Sequence, residues 1–164
     1  MTADRFSGAD AELRARAVAE ARAWLGTPYR HQASAKGIGC DCLGLLRGVW
    51  RALHGVEPET APPYTADWSE TGGREALLAA AGRWLVPIPA RAAAPGDVLV
   101  MRMRRRGPAK HCALLSAGDL GRGRIIHAYS GHGVRESPLV PAWADAVAGV
   151  FRLPASPPRP ITED

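Results

Sequence analysis

The feature that most constrains this fold is a change of hydrophobic period partway along the chain. Before residue 87 the apolar stretches that show a period have helical spacing, and from residue 97 they come in short, alternating or continuous runs. The Pro/Ala-rich stretch PIPARAAAPGD, residues 87–97, lies between the two regimes. In ADAELRARAVAEARAWLG, which begins at Ala9, Leu13, Ala17, Ala21, Trp24 and Leu25 share one face, with Gly26 and Pro28 as stops. Residues 74–86 place Leu77, Leu78, Ala81, Trp84 and Leu85 on a second such stripe, ended before Pro87. Beyond the hinge, residues 97–103, 111–116, 124–129 and 148–153 have strand character, with a shorter strand at 133–136. Helices followed by a meander of strands predict an α+β domain, its N-terminal helices packed on a C-terminal antiparallel sheet.

A further helix lies in GCDCLGLLRGVWRALHG, residues 39–55. Counting from Cys42, the residues Leu45, Leu46, Val49, Trp50 and Leu53 form an amphipathic stripe. Asp41 is a good N-cap and Gly55 a good C-terminal stop, so the helix is expected from Asp41 to His54. Cys42 then stands in the first turn, where unpaired N–H groups and the positive end of the macrodipole favour a thiolate. The same N–H groups can hold an oxyanion. Gly44 and Gly48 cost helix propensity, which points to a close approach of another backbone or a substrate.

The 164 residues suit one domain, at residues 9–153, with a polar tail at 1–8 and a proline-rich tail at 154–164. Three cysteines, Cys40, Cys42 and Cys112, do not make a secreted disulfide framework and are expected as free thiols. No apolar run is long enough to span a membrane, and MTADRFSGAD has no signal-peptide layout, so synthesis in the cytoplasm is expected. The net charge of +5 is carried mostly by arginine in an Ala/Gly/Pro-rich background and argues weak polyanion attraction at most. The basic run RMRRRGPAK at residues 102–110 has no interleaved aromatics and is expected to be a solvated hairpin, without specific nucleic-acid binding. TPYRHQASAKGIG is expected as a loop crossing the mouth of the site, Gly37 and Gly39 serving a tight approach to the helix. Residues 56–73 form a long surface loop.

His111 opens the second strand and His127 lies within the third. With a helix-heading cysteine they supply a nucleophile, a base, and a group that fixes the base's orientation and tautomer. Cys112 should face away from His111 by strand alternation and pack in the core. Cys40 and Cys42 lack the two-to-four-residue gap of a zinc knuckle and no second cysteine pair follows, so neither a metal nor another cofactor is expected. His54 and His132 are expected to be exposed, whereas His31 is a candidate substrate contact.

AWLGTPY, GCDCLGL, PGDVLV, KHCALL and IIHAY, in this order and at these separations, resemble the NlpC (p-sixty) family of papain-like cell-wall cysteine peptidases. The longer stretch GTPYRHQASAKGIGCDCLGLLRGVWRALHG and the HAYSG and ESPL elements resemble its phage-tail and gene-transfer-agent branch. The resemblance implies Cys42 as nucleophile, His111 as general base and His127 as the residue that orients it. Tyr29 would assist the oxyanion, and Asp41 would cap the helix and shape the site beside His31. It implies hydrolysis of a peptidoglycan stem peptide, typically between D-glutamate's γ-carboxyl and a diamino acid, by a tail or baseplate component acting at the cell wall, in the periplasm of the target cell. Two departures stand out: Leu43 replaces a common serine, and His31 and Gln32 replace a common glycine pair.

Overall fold

The computed structural model describes residues 8–58 and 75–157. Most of the loop expected at 56–73, and most of both tails, lie outside them.

Helix α1, Gly8–Ala23, buries Leu13, Ala17, Val18 and Ala21. Trp24 is buried just beyond its end, but Leu25 is 43% exposed. Leu25 leaves the expected stripe because the helix stops at Ala23, and Gly26, at φ +84°, turns the chain so that its N–H reaches the Val134 carbonyl. Two short strands follow, β1 (Ser34–Ala35) and β2 (Gly39–Cys40), paired antiparallel. Gly37 supplies the positive φ of their turn, and a Cβ on Gly39 would run into the Arg30 side chain. These glycines therefore serve the hairpin rather than an approach to the helix.

Helix α2, Cys42–His54, buries Leu45, Val49 and Trp50, with Gly44 and Gly48 on the same side. A Cβ on Gly48 would lie 2.0 Å from Cζ2 of Trp24, and one on Gly44 would lie 1.9 Å from the Ala33 carbonyl oxygen. Both glycines are close-approach sites, one for Trp24 just past α1 and one for the loop before β1. His54 is half-buried against Trp50, ring centroids 4.7 Å apart, rather than exposed.

Helix α3 is shorter than its stripe predicts, Ala76–Trp84. Val86 leaves it to begin β3 (Val86–Ile88), a strand the periodicity did not separate from the hinge. Strands β4 (Val98–Arg102), β5 (Ala109–Ala117), β6 (Arg124–Tyr129), β7 (Gly133–Pro138) and β8 (Val147–Arg152) complete an antiparallel sheet of order β3-β8-β4-β5-β6-β7. Five-residue helix α4, Pro141–Asp145, was not foreshadowed, because it is too short to show a period.

The sheet has two apolar faces. Helices α1, α2 and α3 cover the one carrying Val98, Val100, Cys112, Leu114 and Ile126. The other carries Leu99, Met101, Ala113, Leu115 and Ile125, with Trp143 of α4 packed against it. Burial on both faces explains why the strands are runs of apolar residues more than alternating ones. A buried bidentate pair, Arg152 Nε to Asp97 Oδ1 at 2.8 Å and Arg152 Nη2 to Asp97 Oδ2 at 2.7 Å, ties the end of β8 to the start of β4.

Candidate active site

Cys42 owes its place to its neighbour. Asp41 is extended, its Oδ1 accepts from the Gly44 N–H at 2.7 Å and its carbonyl accepts from the Leu45 N–H at 2.9 Å. Oδ2 accepts from the Gln32 N–H, also at 2.7 Å. One buried carboxylate thus starts the helix and anchors the loop before it, with Gln32 held at φ +63°. Among the described residues, the first-turn N–H groups left over by this cap are those of Cys42 and Leu43.

Three groups of β5 meet the Cys42 sulfur. Its thiol donates to the Lys110 carbonyl oxygen at 3.9 Å, and the Cys112 thiol and the His111 ring are the neighbours that set its protonation. The Cys112 thiol beside it, together with the His111 imidazole, holds the Cys42 thiol well below its ordinary range, against the burial that would raise it. Cys112 is correspondingly pushed up beside the Cys42 sulfur. Strand alternation does put Cys112 in the helix-covered core, but the head of α2 meets the start of β5, so the Cys42 sulfur is influenced by Cys112 from one face and by His111 from the other. Cys112 is therefore core packing whose thiol also bears on the Cys42 sulfur. Cys40 is fully buried, and burial raises its thiol to about 12, which leaves it inert.

Behind the sulfur runs a hydrogen-bonded chain. His111 Nε2 and His127 Nδ1 are 2.9 Å apart, and His127 Nε2 is 3.3 Å from the Ser137 hydroxyl. With Nε2 of His111 engaged, Nδ1 is the nitrogen that can take a thiol proton. A neutral His111 ready to do so carries its proton on Nε2 and donates it to His127 Nδ1, while His127 donates from Nε2 to Ser137. Burial, helped by the charge of His111, lowers His127 to about 4, so it stays neutral and accepting. The two histidines are 7% and 5% exposed, buried as a hydrogen-bonded pair must be to keep water from competing.

Tyr29 is tied to β2 by a bridge to Cys40, and burial and nearby Cys42 raise its hydroxyl to about 12. It stays protonated and able to donate. His31 stands at the exposed rim, its Nδ1 3.9 Å from Asp41 Oδ2. The structure therefore brings Cys42, His111, His127, Tyr29, Asp41 and His31 to one region. A thiolate, a base with an assigned tautomer and donors beside the sulfur are what nucleophilic attack on an acyl carbon needs. Among the described residues, no group of three or more His, Cys, Asp and Glu side chains is arranged to hold a metal ion.

The sequence reading assigned no role to Ser137 or Trp143. Ser137 belongs to the ESPL element, the signal that could have found it. Trp143 had none, because its contacts with His111, His127 and Tyr129 are made from a helix without a period.

No curated protein matches the chain in sequence. Among solved structures it is similar to the NlpC/p60 domain of the peptidoglycan hydrolase SagA, with 26% identity and a TM-score of 0.57, over 85% of this chain and 98% of that one. It is also similar to an NlpC/P60 family protein from Bacillus cereus, with 24% identity and a TM-score of 0.59, over 91% of this chain and 41% of that one. NlpC1 from Trichomonas vaginalis matches with 20% identity and a TM-score of 0.54, over 85% of this chain and 43% of that one. The chain thus spans less than half the length of the latter two. They share its papain-like arrangement of helices before an antiparallel sheet. The NlpC/P60 family model matches residues 26–152, from the turn after α1 to the end of β8 and across every residue of the site, and the chain belongs to that family.

Proposed function

We propose that this chain is a cysteine peptidase that hydrolyses amide bonds in peptidoglycan stem peptides. The observation that carries the reading is the Cys42 sulfur at the capped start of α2, its thiol held low beside His111, with the hydrogen-bonded chain from His111 through His127 to Ser137 behind it. Family membership and the likeness to a peptidoglycan hydrolase domain support the substrate class.

In this mechanism Cys42 gives its proton to His111 Nδ1 and attacks the scissile carbonyl carbon. The tetrahedral oxyanion is met by the N–H groups of Cys42 and Leu43 and by the Tyr29 hydroxyl. As the C–N bond breaks, His111 returns the proton to the leaving amine, and a thioester remains on Cys42. His111 then takes a proton from water, the hydroxide adds to the thioester, and the thiolate leaves with the new carboxylate formed. His127 holds the ring in register throughout. His31, with Asp41 behind it, contacts the substrate at the rim.

The bond we assign is the D-γ-glutamyl–diamino acid amide. The setting we assign is a phage tail or gene-transfer-agent particle that opens the wall locally for DNA entry. The extended likeness of residues 26–55 and of the HAYSG and ESPL elements to that branch supports the setting. Purified protein incubated with soluble muropeptides, beside Cys42→Ala, tests the activity by mass spectrometry. Fragments split at that amide, absent from the variant, are the expected result. Intact muropeptides of several wall chemotypes, with a folded protein and a free Cys42 thiol, would refute the reading in favour of a binding or assembly role.

A further inference from the structure

On the outer face of the sheet a single ring touches all three aromatic groups that run from the base outward. The Trp143 indole lies 5.5 Å from His111, 5.1 Å from His127 and 5.8 Å from Tyr129, centroid to centroid, at interplanar angles of 59°, 85° and 72°. The near-perpendicular contact with His127 is the edge-to-face arrangement that aromatic pairs favour. Helix α4 presents the ring from a stiff start, with Pro141 in its first turn and the Trp143 N–H bonded to the Val140 carbonyl at 2.9 Å.

We propose that Trp143 is a positioning residue, whose indole clamps both imidazoles from the outer face and shields the His111–His127 hydrogen bond from water. The inference rests on Cys42 and His111 being the reacting pair. Its physical reason lies in the tautomers. An imidazole that can turn over, or share its N–H with water, presents either a lone pair or a proton to the thiol, and only the lone pair can act as base. Ser137 holds one nitrogen of His127 at 3.3 Å, too long a bond to fix the ring unaided. His111 has Met101 as its partner across β4, a flexible side chain that packs without orienting. The indole is the rigid surface that both rings share.

The test compares wild type, Trp143→Ala and Trp143→Phe, each confirmed as folded by circular dichroism. Two readouts need no substrate: the downfield imidazole N–H proton resonance, and the rate of Cys42 alkylation by iodoacetamide at neutral pH, followed by peptide mass spectrometry. Wild type should show a slowly exchanging imidazole proton. Trp143→Ala should lose it to exchange with water, and its Cys42 alkylation should slow about tenfold as the thiolate fraction falls toward that of a free cysteine. Trp143→Phe should restore both. Should the alanine variant not fold, Trp143→Leu, which fills part of the space but lays no ring over the two imidazoles, should show the same two losses. A ring-less variant that keeps the protected proton and the wild-type rate overturns the clamp. Muropeptide turnover separates the two readings: wild type that fails to turn over while the resonance and alkylation respond sinks the peptidase and leaves the clamp standing.

Discussion

Asp41→Asn distinguishes a simple helix cap from the double anchor described above. Asparagine caps helices as well as aspartate does, so if Asp41 did nothing more, the substitution would be close to neutral. In the structure each carboxylate oxygen accepts one backbone N–H, from Gly44 and from Gln32, both at 2.7 Å, and the residue is 2% exposed. An asparagine has one oxygen to offer and must turn its NH2 toward the other N–H, so a donor faces a donor with no water to intervene. Losing one buried hydrogen bond to a charged group costs about 1.5–3 kcal/mol. For a domain of this size that corresponds to a fall in Tm of roughly 3–12 °C. Asp41→Ala, which loses both bonds, should fall further. Urea unfolding is the assay, with the midpoint expected to drop at constant slope. An Asp41→Asn protein within about 0.5 kcal/mol of wild type would refute the double anchor, since that is the result a pure cap would give.

Two further outcomes follow from packing and from protonation. Gly48→Ala should gain about 1 kcal/mol of helix propensity yet destabilise overall, because its Cβ would meet the buried Trp24 ring at 2.0 Å and overpacking costs about 1–3 kcal/mol. A higher midpoint than wild type in the same urea assay would show that the α1–α2 contact has room to spare. His127, lowered to about 4 in the fold, stays neutral where an unfolded histidine gains a proton below about 6.5. The unfolded state therefore binds more protons across that window, and stability should fall as pH drops from about 6.5 to about 4, then level off, by on the order of 3 kcal/mol. Unfolding free energies measured across that range should show the slope in wild type and a flatter one in His127→Asn; equal slopes would mean that His127 protonates freely in the fold.

The sequence by itself determined the parts whose causes are local. The period change at the 87–97 stretch sets helices before strands, and Asp41, the Leu45–Leu53 stripe and Gly55 set α2 nearly to the residue, because caps and stripes act within a few positions. The place of Cys42 at the head of α2 was legible for the same reason: a thiol at a helix start carries its electrostatics with it. The tertiary structure decided what depends on meetings between distant segments. The cost of a bulky residue at 48 comes from Trp24, and the orientation of His127 comes from Ser137 and Trp143. Strand alternation correctly sent Cys112 into the core, yet it could not say that the core at that point ends on the Cys42 sulfur. Period and capping are properties of one segment, whereas a hydrogen bond or ring contact needs two segments brought to within a few ångströms, and that distance is set by the packing of the whole domain.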